Sequence, residues 1–311
     1  MSDIRAETDA DTDVFERTDP GQSPEPDQRW ISLPPAGMLS VADADALLRW
    51  RQATLVAVVG ERNGGKTTLV TELYERFVRG PFAEALFCHS LSLQGFEEKS
   101  FQSRAESGAD KPDTPRTSKL DGLRFFHLGL ADAADLRRTD LLISERAGEV
   151  YREVRDRPAS ASELLEVTRA ASVAFIVDGE RVADDRRRAE VFASVRNIAR
   201  AIADTGTLRP EARLQLVTTK CDLLRGDGAE AARDALAAFE QTFKTQYEER
   251  FAAVTPFRTA ARDPAAVVEP AHGLAPLLRE WLTPPAPHVP QAVPHPILTD
   301  EFDKLLVRRG A

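Results

Sequence analysis

A glycine-rich segment joins an apolar run to an amphipathic one. Residues 55–69 read LVAVVGERNGGKTTL and contain the pattern G-x-x-x-x-G-K-S/T from Gly60 to Thr67. Glycines here let backbone N–H groups curl around a phosphate, and the positive end of the following helix points at the same anion. Lys66 is expected to reach the β- and γ-phosphates, and Thr67 to hold Mg²⁺. The segment therefore predicts a nucleoside triphosphate site. The residues predicted to bind the phosphates are Gly60, Asn63, Gly64, Gly65, Lys66, Thr67 and Thr68.

Composition narrows the classes of partner. The chain has 311 residues, of which 42% are hydrophobic, and a formal net charge of −9. Residues 1–30 hold nine acidic and three basic residues, so the rest of the chain is nearly neutral. This balance favours neither nucleic acid nor an anionic membrane as a partner. No apolar run reaches the ~18 residues of a membrane span, and two cysteines without metal-site spacing fit a reducing compartment. A cytoplasmic protein is expected.

Proline and charge divide the chain into three parts. Residues 1–36 are acidic and contain five prolines, which predicts a disordered tail. Residues 37–283 alternate apolar strands with amphipathic helices and form the predicted nucleotide-binding domain. Residues 284–311 begin as a proline-rich linker and are expected to end in a short helix. That helix is interpreted as a tail packed on its own domain, with a tethered docking segment as the alternative.

The alternation of elements predicts the fold class. Continuous apolar strands are typical of a sheet that is covered on both faces. We expect an α/β P-loop NTPase fold, with a mostly parallel, doubly wound sheet of about six strands and helices on both faces. Strands are predicted over 54–59, 82–93, 123–130, 141–144, 173–177 and 214–218. Helices are predicted over 40–51, 96–106, 149–169 (interrupted near Pro158), 185–204, 229–251 and 274–282.

A second pattern bears on the choice of nucleotide. Thr219-Lys220-Cys221-Asp222 follows a predicted strand and resembles the N/T-K-x-D base-recognition element of GTPases. A carboxylate at Asp222 can accept hydrogen bonds from the N1–H and 2-amino groups of guanine, whereas adenine offers neither donor on that edge. The Lys220 stem can lie over the purine face. The pattern favours GTP and GDP over ATP.

A further strand-end element follows Phe257. Thr259-Ala260-Ala261 resembles the S-A-K loop whose backbone amides contact the guanine carbonyl, so these three residues are predicted to bind the base. Thr259 and Arg262 depart from the usual serine and lysine. The alternative interpretation is a plain exit from strand to loop.

These patterns together resemble a TRAFAC-type, Ras-like GTPase domain over residues 53–283. Within that class, GFEE at 95–98, KPDTPRT at 111–117 and ISERAGE at 143–149 are similar to the bacterial double-GTPase family. Proteins of that family are predicted to act in multi-gene bacterial conflict (defence) systems. The resemblance implies GTP and GDP with Mg²⁺ as ligands and an unidentified protein effector or regulator as partner.

The resemblance also implies a loop that senses the γ-phosphate. Residues 107–119 occupy the expected position, with Thr117 as the Mg²⁺ ligand and Thr114 as the alternative. Arg116, or else Arg104, is expected to supply positive charge to the transition state. Solvated loop arginines are the other interpretation.

The next expected element is D-x-x-G, and this chain has Glu145-Arg146-Ala147-Gly148. Glu145 is preferred as the Mg²⁺ carboxylate despite its extra methylene, with Asp178 as the rival, and Gly148 is expected at the γ-phosphate. Glu149 stands where Ras-like enzymes have the glutamine that positions the attacking water, so Lys66, Glu149 and Arg116 are the predicted catalytic residues.

Three functions remain open at this point. The favoured one is a guanine-nucleotide switch that hydrolyses GTP slowly with Mg²⁺. The second is a nucleotide-binding scaffold with weak catalysis, suggested by the glutamate in place of aspartate at position 145. The third is a P-loop ATPase.

Overall fold

Seven strands form a single sheet in the computed structural model, which describes residues 37–105, 122–226, 228–262 and 267–284. The strand order is β2-β3-β4-β1-β5-β6-β7. The strands β4, β1, β5, β6 and β7 run parallel to one another, and β2 and β3 form an antiparallel edge. The strands are β1 (Ala53–Val59), β2 (Ala85–His89), β3 (Arg124–Asp132), β4 (Arg138–Glu145), β5 (Ser172–Asp178), β6 (Arg213–Thr219) and β7 (Ala253–Arg258).

Helices connect the strands and cover the sheet. Their bounds are α1 (Val41–Trp50), α2 (Lys66–Arg79), α3 (Leu93–Ala105), α4 (Gly148–Asp156), α5 (Leu165–Thr168), α6 (Gly179–Ala183), α7 (Asp185–Asp204), α8 (Glu230–Tyr247) and α9 (Leu274–Leu282). Helix α1 begins with a capping box in which Ser40 and Asp43 satisfy each other's backbone N–H groups. Short 3₁₀ turns over Pro158–Glu163 and Cys221–Leu224 complete the connections.

The core lies in two layers, one on each face of the sheet. Alternate residues of β1 point to opposite faces, so Leu55 and Val59 join one cluster and Val56 and Val58 join the other. The first layer contains side chains of α1, α4, α7 and α8, and the second contains those of α2, α3 and α9. This arrangement explains why the central strands are apolar throughout.

The predicted fold class is confirmed, with differences in detail. The sheet has seven strands rather than about six. The strand expected over 82–93 ends at His89, because Ser90 and Ser92 form a hydrogen-bonded turn against His127 and α3 begins at Leu93. The interruption predicted near Pro158 in the helical segment 149–169 is confirmed, because a 3₁₀ turn there separates α4 from α5.

One edge of the sheet gathers the predicted site. Strands β1, β4, β5, β6 and β7 run in the same direction, so the loops that follow them meet at their carboxyl ends. Ligands of open α/β sheets bind at this edge. No helix among the described residues is both long enough and apolar enough to cross a membrane. The predicted tail over 1–36 and the short helix predicted at the end of residues 284–311 lie outside the described residues.

Candidate nucleotide-binding site

The glycine-rich loop connects β1 to α2 and has the backbone form that its residues predict. Asn63 and Gly65 take left-handed conformations with φ of 62° and 82°. Glycine adopts this region freely, and asparagine is among the few other residues that visit it. The loop also packs closely on β5, because a Cβ on Gly60 would lie 2.8 Å from the Cβ of Ile176 and one on Gly64 would lie 3.2 Å from its Cγ2.

Lys66 points back along this loop. Its Nζ donates to the carbonyl oxygens of Gly60 at 2.9 Å and Glu61 at 3.0 Å. The side chain is buried, and burial lowers the pKa of Lys66 from its ordinary value, while nearby carboxylates, Glu145 foremost, oppose that shift. The ammonium is thus held at the mouth of a helix N-terminus, where an anion is favoured.

Two oxygen-bearing side chains that are predicted to hold Mg²⁺ lie near Lys66. The Thr67 hydroxyl donates to Glu145 Oε1 at 2.6 Å, which joins the first turn of α2 to the end of β4. A hydroxyl and a carboxylate are the hard oxygen donors that Mg²⁺ prefers, so this pair fits the predicted metal. The rival carboxylate, Asp178, lies 3.0 Å from Lys220 Nζ and caps α6 instead.

The segment after Glu145 is pressed against the glycine-rich loop. Gly148 begins α4, and a Cβ at this position would lie 2.2 Å from the backbone nitrogen of Arg62. The next residue, Glu149, is exposed and lies 3.9 Å from the Arg62 guanidinium. The structure therefore brings Gly148 and Glu149 to the loop that carries Lys66. Thr68 is half-buried in the first turn of α2.

The predicted base-recognition loop, which follows β6, is hydrogen-bonded to the predicted phosphate-binding loop. The Thr219 hydroxyl donates to the carbonyl of Gly64 at 2.8 Å, and Lys220 Nζ donates to the carbonyl of Asn63 at 3.0 Å. Asp178 at 3.0 Å and Glu180 at 2.8 Å flank the same ammonium. Burial alone would lower the pKa of Lys220, but these two carboxylates outweigh it and hold the pKa above its ordinary value.

The loop after β7 completes the predicted cradle. Cys221 N–H donates to the carbonyl of Thr259 at 3.1 Å, and Thr259 N–H donates to the carbonyl of Thr218 at 2.7 Å. Asp222 is half-buried in the 3₁₀ turn that starts at Cys221. Ala260 is buried and Ala261 half-buried directly after Thr259. The structure thus brings the two segments that are predicted to bind the base side by side.

The arginine that replaces the usual lysine of this loop has a partner. Arg262 lies 3.6 Å from the Glu72 carboxylate of α2, and Arg76 contacts the same carboxylate. The departure from the S-A-K pattern therefore introduces an ion pair between the β7 loop and the phosphate-loop helix.

The residues expected to sense the γ-phosphate cannot be placed. Thr114, Arg116 and Thr117 lie outside the described residues, as does the side chain of Arg104 within α3. Their roles remain predictions.

A profile of the Double-GTPase 2 family matches residues 54–282. The chain belongs to this family. The match begins in β1 and ends with α9, so it spans the whole sheet. Membership supports GTP binding and GTP hydrolase activity in general.

Solved structures that resemble this family member are distant. Methanosarcina barkeri Roco2 RocCORdC bound to GDP is 13% identical with a TM-score of 0.36, and the match covers 75% of this chain and 49% of that one. The signal recognition particle receptor SRb-GTP/SRX complex of Chaetomium thermophilum is 16% identical with a TM-score of 0.41, covering 75% and 97%. The S. cerevisiae Ski7 GTPase-like domain bound to GTP is 14% identical with a TM-score of 0.38, covering 78% and 53%. A search of curated proteins found no match.

Two residues of this double-GTPase domain escaped sequence reasoning. Gly179 begins α6, and a Cβ there would lie 2.2 Å from the carbonyl oxygen of Thr219. A glycine directly after a buried strand is a signal of close backbone approach, so it was open to detection. Glu61 occupies a variable position of the glycine-rich pattern and carries no signal of its own, although its side chain contacts three helices.

A separate cluster of residues of the types that bind metals lies within the sheet. Ligand atoms of His89, His127 and Asp140 lie within 4.8 Å of one another. His127 Nδ1 accepts the backbone N–H of Leu91 at 3.0 Å, so Nε2 carries the proton and faces Asp140 Oδ1 at 3.0 Å. Arg138 donates to the same carboxylate oxygen at 2.7 Å. The Nε2 proton of His127 and the guanidinium of Arg138 thus occupy the side of Asp140 where a metal ion would bind. We therefore assign the cluster a structural role, which is to hold the turn before α3.

Proposed function

We propose that this chain is a guanine-nucleotide switch that binds GTP and GDP with Mg²⁺ and hydrolyses GTP slowly. The observation that carries the proposal is the pair of hydrogen bonds from Thr219 to Gly64 and from Lys220 to Asn63, at 2.8 and 3.0 Å. They fix the predicted base-recognition loop directly on the phosphate-binding loop, so that one nucleotide could contact both loops. A phosphate loop alone would support any nucleoside triphosphate.

Guanine selection is assigned to Asp222. Its carboxylate accepts the N1–H and the 2-amino group of guanine, and adenine would leave that carboxylate without donors on the base edge. The Lys220 stem covers the purine face, held by Asp178 and Glu180. The backbone of Thr259, Ala260 and Ala261 approaches the base from the other side.

Hydrolysis is assigned to the loops after β1 and β4. Lys66 neutralises charge on the β- and γ-phosphates. Thr67 and Glu145, with Thr117, would hold Mg²⁺, which would supply further charge stabilisation. Water oriented by Glu149 attacks the γ-phosphorus, and the bond to the β-phosphate oxygen breaks to give GDP and phosphate. Gly148 contacts the γ-phosphate, and Arg116 stabilises the developing charge.

A slow rate is expected from two residue identities. Glu145 replaces the usual aspartate with a side chain one methylene longer, and Glu149 replaces the glutamine of Ras-like enzymes with a carboxylate. A nucleotide-binding scaffold with weak catalysis is the second candidate, and the same glutamate at position 145 favours it. With either function, we place the chain in the cytoplasm, because its two free cysteines suit a reducing compartment. We assign it to a bacterial multi-protein conflict or regulatory system with an unidentified effector.

The nucleotide is tested by competition. Displacement of fluorescent GDP from the purified chain should require far less GTP than ATP, because only guanine pairs with Asp222. Equal displacement by ATP would support the P-loop ATPase and contradict guanine selection. Single-turnover phosphate release with Mg²⁺ then separates the two candidates: slow release supports the switch, and binding without release supports the scaffold.

A further inference from the structure

One P-loop side chain joins three helices. Glu61 Oε1 accepts from Arg155 Nη1 at 2.7 Å and from the Ser194 hydroxyl at 2.8 Å, and Oε2 accepts from Arg181 Nη1 at 3.0 Å. Arg155 belongs to α4, Arg181 to α6 and Ser194 to α7. The Glu61 side chain is only 16% exposed, so these contacts are shielded from solvent.

The carboxylate of Glu61 is kept ionised in this setting. Burial alone would raise the pKa of Glu61, but the bonds from Ser194 and Arg181, with the charge of Arg155, outweigh burial and hold the pKa below its ordinary value. Removing the negative charge would leave Arg155 and Arg181 paired only with the exposed carboxylates of Asp156 and Glu190. The loss of a shielded partner costs more than the loss of an exposed one.

The backbone of Glu61 also contacts the predicted phosphate site. Its carbonyl accepts from Lys66 Nζ at 3.0 Å, while its side chain holds Arg155 of α4. Helix α4 begins at Gly148, which lies against the backbone of Arg62 so closely that a Cβ would be 2.2 Å from the Arg62 nitrogen. Glu61 therefore contacts both the phosphate-binding lysine and the helix that carries Gly148.

We infer that Glu61 is a positioning residue that holds α4, and with it Gly148, against the P-loop in the place where the γ-phosphate is received. The inference rests on the proposed function, since it assigns regulation to the same site. Only GTP has a γ-phosphate, so only GTP uses a prepositioned Gly148. A loosened α4 must be ordered again when GTP binds, and that cost does not fall on GDP.

Nucleotide affinities distinguish this positioning role from plain structural support. A residue that merely stabilises the fold would weaken GMPPNP, a non-hydrolysable GTP analogue, and GDP by the same factor. A residue that positions Gly148 changes the ratio of the two dissociation constants. The Glu61–Arg155 pair also predicts non-additivity, because either substitution removes the same contact.

The experiment measures GMPPNP and GDP affinity, with Mg²⁺, for the full chain and for Glu61→Gln, Arg155→Ala and the double variant. Each single variant should lower the preference for GMPPNP by about five-fold or more, within the usual range of coupling between sites. The double variant should lose no more than the larger single one. Glu84→Gln and Arg157→Ala are matched controls, because their side chains are 77% and 78% exposed and they pair with Arg279 and Glu153 rather than with Glu61.

The possible results separate the positioning role of Glu61 from the proposed function. An unchanged preference in Arg155→Ala, or additive losses in the double variant, would overturn the inference and leave the proposed function standing. If Glu61→Gln does not fold, Arg155→Ala decides alone, because it removes the α4 end of the contact and leaves the P-loop sequence intact. A wild-type chain that binds neither nucleotide would remove the proposed function and the inference together.

Discussion

Gly179 offers a direct test of how tightly the base-recognition loop is seated. In Gly179→Ala, the new methyl carbon would lie 2.2 Å from the carbonyl oxygen of Thr219 and 2.8 Å from that of Lys220. A close carbon–oxygen contact is about 3.3 Å, so α6 and the loop must separate by about 1 Å. No flexible side chain can absorb this shift, because both oxygens belong to backbone.

The magnitude follows from the bonds that the loop would lose. The hydrogen bonds of Thr219 to Gly64 and of Lys220 to Asn63, at 2.8 and 3.0 Å, would stretch beyond hydrogen-bond range if the loop took up that movement. A neutral bond contributes about 1 kcal/mol and a charged one somewhat more, so a loss of about 2 kcal/mol is expected after partial relaxation. That corresponds to about 30-fold weaker GDP binding.

The assay is titration of fluorescent GDP, accompanied by thermal unfolding. Gly226→Ala is the matched control, because a Cβ at Gly226 meets no atom within 4 Å and the residue has no left-handed φ. We expect the control to bind GDP like the wild type, and Gly179→Ala to bind it about 30-fold more weakly. Binding of Gly179→Ala within about three-fold of the control would refute the reasoning, because about 0.6 kcal/mol would then suffice to relax the contact.

Three other substitutions test the site and the sheet. Lys66→Ala should abolish triphosphate binding, because it removes the cation from the phosphate loop; retained affinity in a GTP titration would contradict the P-loop assignment. Asp222→Asn should shift preference from GTP towards xanthosine triphosphate in a competition assay, because an amide can pair with the carbonyl at position 2 of xanthine. Burial lowers the pKa of His127 from 6.5 to about 4, so the unfolded chain binds this proton first and stability should fall as pH drops between these values, by at most about 1.4 kcal/mol per unit. Denaturant unfolding of His127→Gln should lack that part of the pH dependence.

The fold could be predicted because its signals are local. The apolar run of β1, the glycine-rich loop and the amphipathic α2 each follow from their own residues, and the alternation of strands and helices gives the sheet. The sequence underestimated β4, which begins at Arg138 rather than at residue 141, because its first residues are polar. Asp140 is tolerated there because His127 and Arg138, brought together by the sheet, satisfy its carboxylate.

The sequence predicts the residues of a candidate site, whose roles stay predictions, but it does not indicate the tertiary contacts that support that site. Lys66, Thr67, Glu145 and Thr219 were identified by pattern, and the structure brings them to one edge of the sheet. The contacts of Glu61 could not be predicted, because its partner Ser194 lies 133 residues away along the chain. A pattern of short spacing carries no record of contacts made by tertiary packing.

The predicted base-recognition loop contains a cysteine, Cys221, whose reactivity can report opening of the loop. Cys221 is buried within it, and burial raises the pKa of its thiol to about 11, so a thiol reagent reacts with it only when the loop opens. The chain has one other cysteine, Cys88, which is exposed on β2. In a Cys88→Ser background, the rate at which Cys221 is alkylated measures how often the loop opens. Bound nucleotide should slow this alkylation.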